Sequence, residues 1–368
     1  MNINFVIFVL LLCFSFTYLE ASEQSWLFDS ARVWGRGRTY VAAYESDESS
    51  RFNAAALGES DVSFQLRPLQ LDFFVGKNTT STFNDLLSAA GSNDAFSVLR
   101  KFDDKFGQLQ YFKAQGSFFS LRFGSFEISP FGLNDAFLKL ELPPSPEMSW
   151  KVDSVVGLNL SYGFELKQDM FIGLTLRPLY RWYIEGKVAF ADIVELLGPT
   201  STRFEDFTPL VSAAAVGGDL GFIWNLSPGF RWGVTVRNIG DTSATSDFEE
   251  TPPAIRQNIS TGLLSRSSLG GIADLDLYLD IHSLTNRDGL NLLRLINTGF
   301  ELGSSVFSRD HDFGVLGGIS EGYASLGAFF DLYFLRVDIT SYGIETGIES
   351  GQLQDRRWAI SGRSSLTL

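Results

Sequence analysis

The chain has very little cysteine, methionine or histidine: one Cys, three Met and two His among 368 residues. The single cysteine, Cys13, lies in an apolar leader, so the chain without that leader has no thiol, disulfide or cysteine-based metal site. His282 and His311 are too far apart in sequence to form a metal cage without carboxylates to complete it. Positive charge is also scarce, with 29 Lys and Arg against 43 Asp and Glu, a formal net charge of -14. That balance leaves no basic face to neutralise phosphates and argues against a nucleic-acid partner. After the leader there is no apolar run long enough for a helical membrane span. No period of about 20–50 residues recurs, which disfavours a propeller or solenoid. The run Gly35-Arg36-Gly37-Arg38 lacks both the Lys-Ser/Thr and the preceding strand of a phosphate loop.

Aromatic residues and glycine are abundant. Phe occurs 34 times and Gly 35 times, and aromatics make up 14% of the chain, a composition that favours strands over helices. Residues 1–21 read as a secretory signal: Phe5 to Phe16 is almost wholly apolar, and Ala21 offers a small residue for cleavage. Residues 22–60 form a second unit, rich in small residues and in both charges, with Arg32, Arg36, Arg38 and Arg51 against Glu45, Asp47 and Glu48. It has no continuous apolar stripe, so it does not read as a surface helix. It suits the inside of a polar-walled cavity, as a plug.

From residue 61 to 368 the period is two. Trp150, Val152, Val156, Leu158, Leu160, Tyr162, Phe164 and Leu166 share one face; Lys151, Asp153, Gly157, Asn159, Ser161 and Glu165 share the other. The pattern returns where Leu275, Leu277, Leu279 and Ile281 oppose Asp274, Asp276, Asp280 and His282. About fourteen such segments follow one another, from 62–76, 111–124 and 126–142 through 150–166 and 169–186 to 333–344 and 355–367. Many are longer than the strands of about 5–6 residues usual in soluble sheets, and Trp150, Tyr162, Phe164 and Trp182 stand near the ends of apolar faces, as interfacial girdles do. An exported chain without a helical span crosses a bilayer only as a closed barrel, because every strand edge must be paired. The expected fold is therefore all-β, a transmembrane antiparallel barrel of about fourteen strands with an N-terminal plug. A few short helices are expected in 81–107 and 189–197.

The stretch 30–58 carries a resemblance. Ala31-Arg32, Gly35-Arg36-Gly37, Val41-Ala42-Ala43, Asp47-Glu48 and Asn53-Ala54-Ala55-Ala56-Leu57 stand where the FadL-like outer-membrane family places its small-residue run, acidic turn and Asn-Pro-Ala motif. Ala54 replaces the usual Pro, which leaves φ unfixed there. Later, Val236 to Asp241 is similar to the Asn-Ile/Leu-Gly turn of FadL-like and PorV-like barrels, and 299–303, 317–330 and 335–342 follow their late hairpins. The resemblance implies a bacterial outer-membrane barrel in contact with membrane lipid that admits a hydrophobic, fatty-acid-like ligand past the plug, with no cofactor. The alternative is a PorV-like barrel that transports nothing and binds a protein partner in a secretion or assembly system.

The plug residues singled out are Gly35, Gly37, Asn53, Ala54 and Ala55. The lumen charges are Arg122, Arg177, Arg181, Arg231, Arg237, Asp274, Asp276, Asp280, His282, Arg336 and Asp338, joined by Arg363 and Glu165. Their expected role is pairing between wall and plug. A barrel-embedded lipase would want Ser, His and an acid on an outward face, whereas His282 falls on the lumen face, so no catalytic or metal site is read. A further expectation is that Leu160 faces lipid and Ser161 faces the lumen, with Ser161 tolerant of a charge.

Overall fold

The computed structural model describes residues 27–43, 48, 50–82, 84, 107–140, 147–189, 210–245, 251–285, 289–304, 313–332, 334–346 and 352–367. The signal sequence, most of 81–107, the segment 190–209, Glu45, Asp47 and His311 lie outside the described residues.

Fourteen antiparallel strands form one closed barrel. They are β1 (Phe64–Gly76), β2 (Leu109–Phe123), β3 (Phe126–Leu140), β4 (Glu147–Lys167), β5 (Met170–Ala189), β6 (Val211–Ser227), β7 (Phe230–Arg237), β8 (Asn258–Leu269), β9 (Ala273–Ile281), β10 (Ile296–Ser304), β11 (Phe313–Ser320), β12 (Tyr323–Leu332), β13 (Leu335–Glu345) and β14 (Gln354–Ser364). Each strand pairs with the next, and β14 returns to β1 through Gln70↔Arg363 to Gly76↔Arg357, which removes the sheet edges. Two-residue pairings add Ala244–Thr245 to β6 and Leu366–Thr367 to β1.

The expected boundaries hold to within a few residues, and the differences have local causes. β7 stops at Arg237 because Asn238 turns with φ 53°. β9 starts at Ala273 because Gly270 and Gly271 occupy the left-handed region. The wall is uneven in height: β4 and β5 run 21 and 20 residues, whereas β7 and β11 run 8. Most connections at the lower end, such as 124–125, 168–169 and 228–229, are tight turns; the upper end carries the long ones, 77–108 and 190–210 among them. Outer-membrane barrels show this asymmetry, with short turns on the periplasmic side.

The outer face is a belt of exposed apolar side chains, including Phe73, Val156, Leu176, Leu220, Leu277, Leu326 and Ile360. Trp150 does not belong to it: only 8% of its surface is exposed. Glu165 is exposed at the lower end of β4 and takes no part in the lumen. The ladder is interrupted at one level of the wall. Pro68 drops out of the β1–β2 pairing, and the β2–β3 register breaks between Ser117 and Leu121, with Phe119 at φ 52°. Pro130 on β3 faces the break, and a proline has no N–H to give to a ladder. The β2–β3 bulge, beside the unpaired Pro68, bends the wall locally. Across the break the hydroxyls of Ser120 and Ser129 hydrogen-bond at 2.8 Å, both buried.

Candidate functional site

The barrel interior is occupied by the chain's own N-terminal segment. It contains α1 (Ala31–Gly35), turns at 36–43 and 50–55, and α2 (Ala56–Glu59). Its backbone approaches the wall at glycines on the inward faces of the strands. A Cβ on Gly173 would lie 2.0 Å from Ala55 N, and one on Gly299 would lie 1.9 Å from the Arg36 carbonyl. Gly163, Gly221, Gly233 and Gly318 are equally closed to a side chain, against Gly58, Asn53, Val41 and Gly37. Several of these glycines are direct register partners, as in Gly163↔Gly173, Gly173↔Gly221 and Gly299↔Gly318. Together they form a groove round the inner wall into which the segment's backbone fits. The sequence shows this signal as glycines on polar strand faces, a pattern the alternation argument counted only as small residues.

Charges pin the segment in that groove. Arg32 makes a bidentate pair with Glu301 at 2.5 and 2.9 Å, and Arg36 reaches the same carboxylate at 3.4 Å. Arg38 pairs with Glu321 at 2.6 Å and Arg51 with Asp72 at 2.8 Å. In the opposite polarity, the wall's Lys113 pairs with Asp29, Arg363 with Glu48, and Arg231 with Glu59. Buried pairs of this kind resist the loss of one partner, because the charge left behind has no solvent to turn to.

The residues singled out in the plug each have a definite place. Gly35 ends α1 against Leu316 and Thr340. Gly37, at φ 68°, donates its N–H to Ser325 at 3.1 Å. Asn53 donates to the Val41 carbonyl at 2.7 Å and accepts from Ala55 N at 3.1 Å, so it ties the two halves of the segment together. Ala54 and Ala55 lie with their backbone on Gly173.

Of the wall charges, Arg122 donates to the Leu57 carbonyl at 3.1 Å, Arg231 to the Ala43 carbonyl at 3.1 Å, and Arg237 lies 5.0 Å over the Tyr40 ring. Asp280 accepts from the Tyr40 and Val41 N–H groups at 2.7 and 3.0 Å. Arg336 and Asp338 pair with each other at 3.1 Å and, with Arg363, complete the cluster round Glu301. Other charges pair within the wall: Arg181 with Asp153, Arg177 with Asp219, and Asp276 with Arg266. Asp274 is half-buried on the inward face near the lower end. Glu301, Glu321, Asp72, Lys113 and Asp219 were missed by sequence reasoning. Glu301 was the most accessible of them, since it stands between Gly299 and Gly303 on one strand face.

His282 sits under the segment. Its ring stacks on Tyr40 at 5.0 Å, its Nε2 donates to the Arg38 carbonyl at 2.9 Å, and its Nδ1 lies 3.1 Å from Ser260 Oγ. Burial, with Arg38 and then Arg237 nearby, holds the imidazole well below its usual pKa. Ser260, His282 and Asp280 have the composition of a hydrolase triad but not its geometry. All three are buried, the carbonyl occupies the Nε2 that lies 3.9 Å from Asp280, and Ser260 is also 2.7 Å from Asn258 Oδ1.

At the upper end, on the tall side of the wall, a cavity of about 420 Å³ opens between β2, β3, β4 and β5. Phe137, Trp150, Leu109 and Leu353 supply apolar surface, and Lys139, Lys151, Lys187 and Glu185 supply charge. Below it, past Asp135, the inner face of β3 continues through Leu133 to Phe131, which sits beside the interrupted ladder. These side chains form one buried apolar cluster with Val155, Leu179 and Ala215 of the wall and with Phe28, Val33, Tyr40, Val41 and Phe52 of the segment. On this side of the lumen the apolar cluster alternates with the ion pairs Arg181–Asp153 and Arg177–Asp219.

These features define a class: a closed fourteen-strand transmembrane barrel with its own N-terminal segment inside. Among solved structures the fold is shared by the toluene transporter TodX of P. putida, with a TM-score of 0.52, 10% identity, and coverage of 94% of this chain and 99% of that one. It is shared by the toluene transporter TbuX of Ralstonia pickettii, with a TM-score of 0.51, 10% identity, and coverage of 91% and 98%. It is shared by the monoaromatic hydrocarbon channel CymD, with a TM-score of 0.51, 11% identity, and coverage of 92% and 97%. At such identity the likeness is one of fold. Sequence comparison finds no matching family model and no matching curated protein.

Proposed function

We propose that the protein is an outer-membrane channel for hydrophobic small molecules, with residues 22–60 acting as its plug. The carrying observation is that the mouth cavity stands over a buried apolar cluster on the inner faces of β3 to β6, with one charged layer of Asp135, Asp153 and Arg181 between them, while ion pairs close the rest of the lumen. An apolar solute meets apolar surface on either side of that layer, and a hydrated one meets an ion-paired interior. The cavity volume falls in the range of small-molecule sites. Its three lysines against one glutamate suit an amphiphile with an acidic head, a fatty-acid-like ligand whose tail lies on Phe137 and Trp150. The ligand leaves either by rearrangement of the plug or sideways at the break between Ser117 and Leu121, where the Ser120–Ser129 hydrogen bond is the closure.

The test is uptake of labelled oleate and of labelled toluene by a Gram-negative host lacking its own transporter for each. Wild-type protein should confer uptake, and Lys139→Glu with Lys151→Glu should reduce oleate uptake about tenfold, as loss of steering and binding charge does, with toluene uptake unchanged. Absence of both uptakes, with folded barrel present in the outer membrane, would refute the channel.

A further inference from the structure

The wall is low on one side. β9 and β10 run 9 residues each and β11 runs 8, against 21 and 20 for β4 and β5. At about 3.4 Å per residue and a tilt of about 40°, strands of that length rise roughly 20–23 Å. The apolar band of an outer-membrane barrel is about 25 Å tall, so the short strands fall a few ångströms short of it. Their outward residues are apolar nearly to the top. Leu277, Leu279 and Ile281 of β9 stand opposite Phe300, Thr298 and Ile296 of β10, and Thr298 also stands opposite Ile319 of β11. Leu277, Leu279, Phe300 and Ile319 are exposed, as lipid-facing side chains are.

The connection from β9 to β10 ends at this edge in one turn of helix, α3 (Leu292–Leu295), which runs straight into β10. Asn291 starts the turn by accepting from the Leu293 N–H at 3.2 Å. One face of it is fixed to the barrel. Leu295 is buried, and its carbonyl accepts from the His282 N–H at 2.9 Å and from Asn297 Nδ2 at 3.1 Å. Arg294 is buried as well and donates to the Glu345 carbonyl of β13 at 3.2 Å. The other face carries Leu292 and Leu293, which are 63% and 60% exposed. A capped and anchored turn thus holds two adjacent leucines out of the barrel's own packing, at the end of the wall where apolar height is missing.

We propose that this pair is a lipid anchor: Leu292 and Leu293 insert among the acyl chains of the outer leaflet and complete the apolar band above β9, β10 and β11. The occupant follows from continuity. α3 joins the two strands whose outward column, Leu277, Leu279, Ile281 and Ile296, already faces lipid, and the leucines extend that column upward. A side shorter than the bilayer core otherwise thins the membrane or tilts the protein. The anchor does not depend on what the barrel conducts.

The chain without its leader has no cysteine, so a single engineered thiol carries a nitroxide label at one site. The experiment places Leu293→Cys, labelled, in the whole mature barrel in dioleoylphosphatidylcholine vesicles. Collisions with oxygen, which concentrates among acyl chains, are compared with collisions with a nickel chelate, which stays in water. Leu277→Cys gives the lipid reference, and Ala254→Cys, exposed in the connection 238–257, gives the water reference. The oxygen-to-nickel ratio at Leu293 should match that at Leu277 and exceed that at Ala254 several-fold. Heat-modifiable migration reports folding, and Leu292→Cys takes the place of a Leu293→Cys that does not fold. A second arm joins Leu292→Ser to Leu293→Ser. Folding yield should fall several-fold in thick dieicosenoylphosphatidylcholine vesicles and stay at the wild-type level in thin dilauroylphosphatidylcholine ones. A water-like ratio at the labelled leucine, or a yield change that is the same in thin and thick vesicles, overturns the proposal. Spin–spin broadening from a second copy overturns it too, because the pair is then a protein interface.

Discussion

At the scale of single residues the interior is governed by buried charge. Glu301 neutralises Arg32 and Arg36 of the segment and approaches Arg336 of the wall. Glu301→Gln leaves these guanidinium groups short of a counter-charge and should weaken docking of the segment by ~3–5 kcal/mol. The expected readout is faster proteolytic cleavage within 27–58 in a barrel that still migrates as folded; unchanged protection would show that the pair does not hold the segment. His282 provides a pH test. Its folded pKa lies below its unfolded value, so the unfolded chain takes up a proton first as pH falls. Stability from this group is present above about pH 6.5 and is lost on acidification below it. Arg38 and Arg237 oppose the imidazolium, and Asp280 at 3.9 Å already serves the Tyr40 and Val41 amides. The midpoint of heat modification should therefore fall between pH 7.5 and pH 5, and His282→Gln should flatten that fall. An equal fall in both proteins would remove His282 as its cause.

At the scale of elements the segment and the wall are separate constructions. The strands hydrogen-bond to one another right round the barrel, with the segment contributing to none of the ladders. Deleting 24–58 should accordingly leave a folded barrel and open an aqueous path, because fourteen strands enclose more space than the ~8 whose side chains fill an interior. Planar-bilayer recordings check this: a large stable conductance should appear only after deletion, and equal conductance before and after would end the plug reading. The glycine groove makes a subtler version. Gly299→Val and Gly173→Val each place a side chain where the segment's backbone now lies, whereas Gly362→Val has open space within 4 Å. The first two should produce conductance in the full-length chain and the third should not. The same close fit corrects the expectation for Ser161. It is fully buried and hydrogen-bonded to Thr175 at 2.8 Å, two residues from the Gly163 contact, so an arginine there displaces the segment and is not mild.

At the scale of the whole molecule the fold answers to the bilayer. The outer belt requires apolar surroundings, and a charge placed in it should be expensive: Leu160→Arg should cost ~2–4 kcal/mol if its level is near the bilayer midplane. Folding yield into lipid vesicles across a urea series measures this, with Leu160→Ala as the reference. Equal yields for the two would mean that the face does not meet lipid. The uneven wall sets the mouth cavity on the side of the long strands β4 and β5, directly above the ladder break.

Much of this architecture was legible in the sequence because a strand's two faces alternate residue by residue. The run from Trp150 to Leu166 states which side meets lipid before any neighbour is known. Fourteen such runs without a helical span left closure as the only way to pair every edge. Local chemistry stays within its own neighbourhood, as where Asn53 accepts from the Ala55 N–H two residues on. Partnership did not read. Arg32 and Glu301 lie 269 residues apart, and nothing in a strand's alternation says which luminal acid will face which segment base. Trp150 looked like a girdle residue and is buried, because exposure depends on tertiary neighbours that alternation does not name. The glycines of the groove and the cluster round Phe28 exist only once the barrel has closed: each needs surfaces from strands far apart in the chain and the segment's backbone within about van der Waals distance of them. Composition and period fixed the wall and its two faces, and closure alone decided what the wall encloses.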